Sequence, residues 1–389
     1  MFVPRGRGPS PECRRPLLWI PNNVKEPAGE PVPVRRAQGA LSWNPHVRGR
    51  SAVNSVPQVP APMALMEMIG NGSFAQAIYV AAKLGIADVL ADGPLDAVQI
   101  ATRADTDADA TFRLLRLLSS RGVFRMEPDG RFALNELSDP LRSDAEVSIR
   151  PWSLFIGSPE HREHWSHLDE AVRTGNAVVP ALRGMSFFEF TRSNPEFGKV
   201  FDESQTSVSG LTLRAVLASH DFSPYPVIVD VGGGNGRLLG EILTRTPGSS
   251  GVLYDTAPVV EGARERLSAF GDRCTITAGS FFDAVPPGGD AYILKHVLHN
   301  WSEDEARTIL GNIKQAMSPE GRLLVIEILL PEGNAPNLGF LTDLNLLALF
   351  GGKERTEREH RELLAAAGFE VERIVPTPAA VSIMVARLA

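Results

Sequence analysis

Three glycines, together with the predicted strand and helix on either side of them, have a spacing that indicates a chemical role. Gly232, Gly234 and Gly236 follow the apolar, β-branched run 227–231 and precede an apolar pattern of helical period over 238–243. This order predicts a buried parallel strand, a tight turn and a helix. Because a turn without side chains lets a ligand approach the backbone, with helix N–H groups pointing at it, we predict a cofactor-binding unit.

A carboxylate about 20 residues beyond this turn indicates which cofactor it binds. The apolar run 252–254 ends in Asp255, and an acidic group at the end of such a strand can accept hydrogen bonds from ribose hydroxyls. The dinucleotide fingerprint G-x-G-x-x-G would need glycine where Arg237 or Leu239 stands. The spacing therefore favours a nucleoside without a pyrophosphate, and D-x-G-x-G-x-G followed by an acid resembles the S-adenosylmethionine (SAM) site of class I methyltransferases.

Other polar residues mark the ends of further predicted strands. Ser280, Lys295 and Glu327 each stand at or near the end of an apolar run typical of a buried strand. Ligands of open α/β sheets bind at the carboxyl ends of the strands. We therefore expect these three side chains and Asp255 to surround one crevice together with the glycine turn.

Composition limits the class of protein. The 389 residues are 43% hydrophobic and carry a formal charge of −7, which suits a soluble globular enzyme and argues against nucleic acid as the main partner. Cys13 and Cys274 are the only cysteines, so neither a disulfide framework nor a cysteine metal site is available, and a reducing, cytoplasmic location is expected. No uninterrupted apolar run approaches the roughly 20 residues of a membrane helix, so no membrane partner is expected.

The chain divides into four predicted segments. Residues 1–62, rich in proline and arginine and without hydrophobic period, are expected to be a disordered tail. Residues 63–145 predict a winged helix, because three amphipathic helices precede two short strands around the D-G turn at 129–130. Residues 146–225 are expected to form a helical linker and substrate wall, and residues 226–389 the catalytic α/β domain.

Residues in the third predicted helix distinguish between two functions of the winged-helix segment, DNA binding and dimerisation. Its predicted N-terminus, Thr106-Asp-Ala-Asp109, has capping-box spacing. A DNA-binding regulator that senses a small ligand would read bases with this turn, but Asp107 and Asp109 occupy it. The apolar face of the preceding helix is better explained as a surface for a second copy, so a homodimer is predicted.

Aromatic side chains are concentrated in residues 146–225, where some are expected to line a flat apolar cavity for a small molecule. His161, His164 and His167 also stand there. At intervals of three residues they drift around a helix, and no cysteine is nearby to complete a tetrahedral site. We interpret them as a solvated helix face and predict no metal. The substrate-lining candidates of this segment are Trp152, Phe155, Met185 and Phe188.

Several motifs of the catalytic segment, taken in order, resemble those of one enzyme family. They are Lys295-His-Val-Leu-His-Asn-Trp301, Glu327 in its strand, and Asp343-Leu-Asn-Leu-Leu-Ala-Leu-Phe-Gly-Gly-Lys-Glu-Arg-Thr356. Over residues 65–389 the chain is similar to plant caffeate and flavonoid O-methyltransferases, the acetylserotonin enzyme and bacterial antibiotic-tailoring methyltransferases. The resemblance implies an α/β fold with a Rossmann-like, seven-stranded doubly wound sheet closed by an antiparallel hairpin, preceded by an N-terminal α-helical winged-helix dimerisation domain.

The resemblance also assigns roles to residues. His299 is the expected general base, and Glu327 and Glu354 are expected to orient its imidazole through the other ring nitrogen. An imidazole with a pKa of about 6.5 suits this task, since a phenol with a pKa of about 10 must lose its proton to attack the methyl carbon. Asp343 and Asn345 join the substrate candidates. The residues expected to hold SAM are Gly232, Gly234, Gly236, Asp255, Ser280, Phe281, Lys295 and Trp301.

Two positions depart from the family pattern. Ser280 stands where the family usually has aspartate, which predicts a weaker or water-mediated contact to the adenine, and Asn300 stands where aspartate is frequent beside the base. Some proteins of this fold catalyse SAM-dependent hydroxylation or decarboxylation instead. Those often lack the histidine that this sequence keeps, so the predicted reaction is methyl transfer from SAM to a phenolic hydroxyl of an apolar small molecule.

Overall fold

The first part of the described chain is helical and ends in a small hairpin. The computed structural model describes residues 59–389. The first elements are α1 (Ala61–Lys83), α2 (Ile86–Val89), α3 (Ala97–Ala104), α4 (Ala108–Ser120), β1 (Arg125–Met126) and β2 (Phe132–Ala133). The predicted tail, 1–62, lies outside the described residues up to position 58. Its predicted end at 62 is wrong, because α1 already begins at Ala61.

The helices and hairpin confirm the predicted winged helix. β1 and β2 pair antiparallel, and a single bridge joins Leu95 to Phe132 as a third, minimal strand of the wing. One detail of the prediction is wrong. The N-cap of α4 is Asp107, whose carboxylate accepts the N–H of Ala110 at 2.8 Å, and not Thr106. Aspartate is among the best N-cap residues because its oxygen satisfies an N–H that has no partner within the helix.

Six helices connect the winged helix to the sheet. They are α5 (Arg150–Gly157), α6 (Pro159–Ser166), α7 (Leu168–Thr174), α8 (Val179–Arg183), α9 (Phe187–Ser193) and α10 (Pro195–Ser219). α5 packs on both α1 and α10. A side chain on Gly157 would overlap the ring of Tyr79, so glycine is needed for α5 to approach α1 this closely.

The rest of the chain alternates strands and helices around one sheet. Its elements are β3 (Val227–Val231), α11 (Arg237–Arg245), β4 (Ser250–Asp255), α12 (Ala257–Leu267), β5 (Cys274–Ala278), β6 (Ala291–Lys295), α13 (Glu303–Ala316), β7 (Arg322–Leu330), α14 (Leu338–Leu349), β8 (Arg355–Thr356), α15 (Glu357–Ala366), β9 (Phe369–Pro376) and β10 (Val381–Leu388). Short 3₁₀ helices cover Ser268–Arg273 and Leu298–Asn300.

The strand order confirms the predicted seven-stranded sheet with its closing hairpin. The order is β5-β4-β3-β6-β7-β10-β9, in which β3 to β7 run parallel and β10 is antiparallel to both of its neighbours. The two-residue β8, which was not predicted, pairs with the end of β7 as an eighth strand. The chain moves outward from β3 to β5 and returns to β6 on the other side, so the strand order reverses at the carboxyl end of β3, where such sheets bind ligands.

The sheet is apolar on both faces because its parallel strands are covered on both sides. Along β3, Ile228 packs with α11 and α12, whereas its neighbour Val229 packs with α13 and α15 on the opposite face. This alternation explains why the strands are nearly continuous apolar runs in the sequence. Residues 60–389 form one compact unit. Between residues 59 and 389, no helix has both the length and the apolarity that crossing a membrane requires.

Candidate active site

The glycine turn is the centre of the crevice. Gly232 and Gly236 both adopt positive φ, 69° and 72°, which favours glycine. A Cβ on Gly232 would lie 2.9 Å from Cγ2 of Val297, and a Cβ on Gly236 would lie 2.7 Å from Cδ1 of Leu267. Side chains are therefore excluded from both positions, and the turn leaves its backbone open toward a ligand at the start of α11, as the sequence predicts.

Asp255 stands at the end of β4 beside this turn. Its Oδ2 accepts the N–H of Gly234 at 2.9 Å, and its Oδ1 accepts the N–H of Thr256 at 2.7 Å. Burial raises the pKa of Asp255, and these two N–H donors act in the opposite direction. The carboxylate is thus fixed at the edge of the turn, where its remaining lone pairs can accept ribose hydroxyls.

Lys295, at the end of β6, has a buried acidic neighbour, Asp230, that sequence reasoning missed. Burial lowers the pKa of Lys295 to about 8, while the nearby Asp230 carboxylate raises it. Burial raises the pKa of Asp230 to about 7, and Lys295 opposes that rise. Oδ2 of Asp230 has no hydrogen-bond partner among residues 59–389. A lone acid within the apolar run of β3 was the available signal, and it fits a site that receives a polar ligand.

Helix α10 crosses the glycine turn, which the sequence did not predict. Nζ of Lys295 donates to Oγ of Ser209 in α10 at 2.8 Å, and Nδ2 of Asn235 in the turn donates to Oγ1 of Thr206 at 3.1 Å. A Cβ on Gly210 would lie 3.0 Å from Nη1 of Arg237. Small residues on this face let the helix approach the turn closely and cover the crevice.

Two aromatic residues that are expected to hold SAM lie together. The rings of Phe281 and Trp301 are 5.9 Å apart, and Trp301 also meets Phe282 edge-on at 4.8 Å. Ser280 uses its hydroxyl to accept the N–H of Phe282 at 3.2 Å, so its side chain stabilises its own turn. Nδ2 of Asn312 in α13 donates to the carbonyls of Phe281 and Phe282 and holds the segment in place.

His299 lies in the 3₁₀ turn after β6, between two buried carboxylates. Its Nδ1 is 2.9 Å from Oε1 of Glu354. Its main-chain N–H donates to Oε1 of Glu327 at 3.1 Å. The expectation that both carboxylates bind the ring is therefore wrong for Glu327, which holds the backbone of the turn. Burial lowers the pKa of His299, but Glu354 and Glu327 outweigh it, so this pKa is raised above its usual value.

Two further side chains support this arrangement. Oδ1 of Asp343 accepts the N–H of Glu354 at 2.9 Å, so Asp343 holds the residue that contacts the ring of His299, a role that its assignment to the substrate missed. Arg355, which is fully buried, donates from Nη1 to the carbonyl of Leu298 at 3.2 Å and from Nη2 to that of Trp301 at 3.4 Å. The segment from Asp343 to Arg355 thereby fixes the turn of His299 from the opposite side.

The predicted substrate wall is only partly accessible. Phe155 is 2% exposed inside an aromatic cluster with Phe187, Phe197 and Phe201, so its assignment as a lining residue is wrong. Phe188 is partly exposed and lies 5.8 Å from Trp301, ring to ring, which places it beside the crevice. Met185 is half-buried before α9, and Trp152 is 37% exposed on α5.

The three histidines of α6 and its end do not form a solvated face. His161 and His164 are buried, and Nε2 of His161 lies 2.8 Å from Oδ1 of Asn345, which also accepts Nε1–H of Trp165. Oδ1 of Asn345 is therefore occupied within the protein, and its assignment to the substrate stays a prediction. Burial, with Arg183 nearby, lowers the pKa of His164 to about 4. The helical spacing was correct, but the packing of α6 on α14 and the aromatic cluster was not visible in it.

One cluster in the described part of the chain has the composition of a metal site. His299, Glu327 and Glu354 each offer one ligand atom, and these atoms lie within 4.8 Å of one another. Nδ1 of His299 is hydrogen-bonded to Glu354. A carboxylate that is hydrogen-bonded to Nδ1 suits an imidazole that takes up a proton at Nε2. The absence of a metal stays a prediction.

Fold, crevice and acid–imidazole cluster together define a SAM-dependent methyltransferase. The family model for the O-methyltransferase domain matches residues 165–370, and the model for the O-methyltransferase dimerisation domain matches residues 66–144. The chain belongs to this O-methyltransferase family, and its methyl donor is SAM.

Relatives that match most of this chain are methyltransferases as well. Phenazine O-methyltransferase PhzM of Lysobacter antibioticus is 38% identical over 336 residues, which are 86% of this chain and 98% of the relative. Mitomycin biosynthesis 6-O-methyltransferase of Streptomyces lavendulae is 41% identical over 305 residues, 78% of this chain and 87% of the relative. The structure of human N-acetylserotonin methyltransferase with SAM matches with a TM-score of 0.79 at 30% identity, covering 86% of this chain and 99% of that one.

Not every relative methylates oxygen. Phenazine-1-carboxylate N-methyltransferase of Pseudomonas aeruginosa is 31% identical over 324 residues, which are 83% of this chain and 96% of the relative. The fold therefore serves more than one acceptor atom, and the acceptor must be argued from the site.

Proposed function

We propose that this protein transfers a methyl group from SAM to a phenolic hydroxyl of an aromatic small molecule, with His299 as the general base. The contact between Nδ1 of His299 and Oε1 of Glu354 carries this proposal. A carboxylate on one ring nitrogen fixes the orientation of the imidazole and leaves the other nitrogen to accept a proton. Within residues 59–389 the ring of His299 makes one hydrogen bond, at Nδ1, so Nε2 is left for the acceptor.

The residues around the crevice divide the work of binding and proton transfer. SAM supplies an electrophilic methyl carbon when bound. Asp255, the glycine turn and Lys295 are suited to hold its ribose, nucleoside and charged amino-acid portion. Nε2 of His299 takes the proton of the acceptor hydroxyl, and the negative charge of Glu354 stabilises the imidazolium that results. Oε1 of Glu327 keeps the turn in place through its hydrogen bond to the main chain.

The direction of the pKa shift predicts the pH dependence. The pKa of His299 is raised by Glu354 and Glu327 despite its burial. Below this raised pKa the imidazole is protonated and cannot accept a proton. The rate of methyl transfer should therefore rise with pH through a value above about 6.5, the usual pKa of histidine.

His299→Ala tests the proposal directly. We expect kcat at pH 7 to fall by roughly 10²- to 10⁴-fold, the usual contribution of a general base. SAM affinity, measured by calorimetry, should be nearly unchanged, and the deficit should shrink at high pH, where phenolate forms unaided. Full activity of the variant at pH 7 would show that positioning alone suffices. His220→Phe, at the far end of α10, is the control.

The acceptor and the atom that is methylated need a second measurement. Phenols, flavonoids, polyketide aromatics and arylamines are incubated with SAM, and products are detected by mass spectrometry. A gain of one CH₂ is expected, whereas a gain of one oxygen would indicate the hydroxylase alternative. Long-range proton–carbon NMR correlations of the product then distinguish an O-methyl from an N-methyl group. Phenazine in the name of a close relative supports beginning with planar aromatic phenols.

We also propose that the protein is a homodimer through the winged-helix segment. The dimerisation-domain model matches residues 66–144. α1 carries a run of large apolar side chains that are more than half exposed, which is unusual on the surface of a monomer. They are Met63, Leu65, Met66, Met68 and Ile69. A second copy of this chain is the partner that would bury them.

A further inference from the structure

A second buried imidazole lies behind the proposed base. His360, on α15, has no exposed surface, and its Nε2 lies 3.7 Å from Oε2 of Glu327, whose side chain is equally buried. The other oxygen of Glu327 accepts the main-chain N–H of His299 at 3.1 Å. Glu327 therefore bridges the turn of the base and His360, which has no part in the methyl-transfer scheme above.

The polar atoms of this pair lack other partners. Within residues 59–389, neither ring nitrogen of His360 makes a hydrogen bond, and neither does Oε2 of Glu327. A buried polar atom without a partner carries its full desolvation cost, so such atoms are normally paired. A shift of less than about 1 Å would bring Nε2 of His360 into hydrogen-bond distance of Oε2 of Glu327. Each of these two side chains is therefore the hydrogen-bond partner within reach of the other.

We propose that His360 is a positioning residue of the methyl-transfer site, whose neutral imidazole donates Nε2–H to Oε2 of Glu327 and keeps that carboxylate charged behind the base. The proposal rests on the proposed role of His299. A charged Glu327 holds the main chain of His299 and adds negative charge beside its ring. His360 acts on the base only through Glu327.

The charges around His360 favour its neutral form. Burial, followed by the positive charges of Arg355 and of His299 when protonated, lowers the pKa of His360 to about 3. A neutral imidazole has one N–H to donate, as the proposal requires. Burial raises the pKa of Glu327, and the hydrogen bond from the main-chain N–H of His299 opposes that rise. A second hydrogen bond to the charged form, from His360, would act in the same direction. The charged or titratable groups that face this pair from the neighbouring elements are His299, Lys353, Glu354, Arg355 and Glu359.

Replacement of the donor by an apolar ring of similar size is the sharpest test. In His360→Phe, Glu327 loses its donor and becomes easier to protonate. The negative charge beside His299 is then lost, so the pKa of His299 should fall, by on the order of one unit. We expect the acid limb of the kcat/KM–pH profile to move to lower pH by the same amount and the plateau above it to fall by up to about tenfold, because a weaker base removes the proton less effectively, whereas SAM affinity stays unchanged. His360→Gln retains an N–H donor and should restore both the pKa and the activity.

The pKa of His299 is read without any substrate, by NMR titration of protein containing ¹³C-labelled histidine. The resonance of His299 is assigned by its loss in His299→Gln. An unchanged pKa of His299 in folded His360→Phe would overturn the proposal, and so would failure of His360→Gln to differ from His360→Phe. If His360→Phe does not fold, His360→Met takes its place, because the flexible thioether fills irregular space without donating a hydrogen bond.

A matched control separates this effect from the general cost of altering a buried histidine. His220 is also buried, has an unpartnered Nε2 in the described residues, and lies in the segment between α10 and β3, which leads into the amino end of β3. His220→Phe should leave the pKa of His299 unchanged. The outcomes also separate the two proposals. If His299 is not the base, His360→Phe still shifts its pKa but leaves activity intact. If His299 is the base and His360 has no role, only His299→Ala loses activity.

Discussion

The carboxylate of Glu354 contacts the imidazole of His299 through one oxygen only. Oε1 lies 2.9 Å from Nδ1, whereas Oε2 is buried without a hydrogen-bond partner in the part of the chain that the structure describes. The main-chain N–H of Glu354 is tied to Oδ1 of Asp343 at 2.9 Å. Glu354 therefore both orients the ring and places a negative charge beside it. A neutral amide of the same shape can separate these two effects.

Glu354→Gln should keep the orientation and remove the charge. Since Glu354 raises the pKa of His299 against its burial, the variant should lower this pKa. The acid limb of the kcat/KM–pH profile then moves to lower pH. On the plateau above the acid limb, the weaker base should reduce kcat by about 10- to 100-fold.

The control for this variant is Glu332→Gln, because Glu332 is an exposed glutamate outside the site. It should match the unmodified protein in both profile and kcat. An acid limb that stays in place in Glu354→Gln would mean that Glu354 does not set the pKa of the base.

Asp255→Ala should weaken SAM binding. Each hydrogen bond from a ribose hydroxyl to this charged acceptor is expected to contribute about 1.5 to 3 kcal/mol, or roughly 10- to 150-fold in Kd. Calorimetric titration with SAM gives this ratio, and a parallel titration with NAD tests whether the glycine turn binds a dinucleotide instead. Asp221→Ala, which alters an exposed acid in the segment between α10 and β3, is the matched control. Equal affinity in the two variants would place the nucleoside elsewhere.

Removal of metal ions should not change activity. His299, Glu327 and Glu354 are close enough to share an ion, but Nδ1 of His299 is bonded to Glu354 and the imidazole must be free to take a proton. We expect kcat to be the same before and after dialysis against a chelator, with metal content followed by mass spectrometry. A loss of activity that a divalent cation restores would make these residues a metal centre.

Charges on α1 should disrupt the homodimer. Met66 and Ile69 are 70% and 72% exposed, and glutamate there would place two charges in the proposed interface. Size-exclusion chromatography with light scattering should give twice the monomer mass for the unmodified protein and the monomer mass for Met66→Glu/Ile69→Glu. Val172→Glu, at an exposed apolar position on α7, should remain dimeric. A monomeric unmodified protein would contradict the proposal.

Local pattern alone was enough for much of the fold. Short stretches of sequence were enough to predict the glycine turn, the acid at the end of β4 and the D-G hairpin of the wing, because each depends on residues only a few positions apart. The antiparallel closing hairpin and the placement of His299 and Glu354 also required the order of several motifs along the chain.

Packing decided the rest. Ser209 and Lys295 are 86 positions apart, and no local pattern shows that α10 crosses the turn. The same holds for His360 beside Glu327, for Asp230 beside Lys295, and for the burial of His164 in an aromatic cluster. The sequence determined which side chains could carry charge and where strands ended. Only the tertiary structure determined which of those charges lose their water and face one another, because desolvation and pairing depend on neighbours that the chain brings together from distant positions.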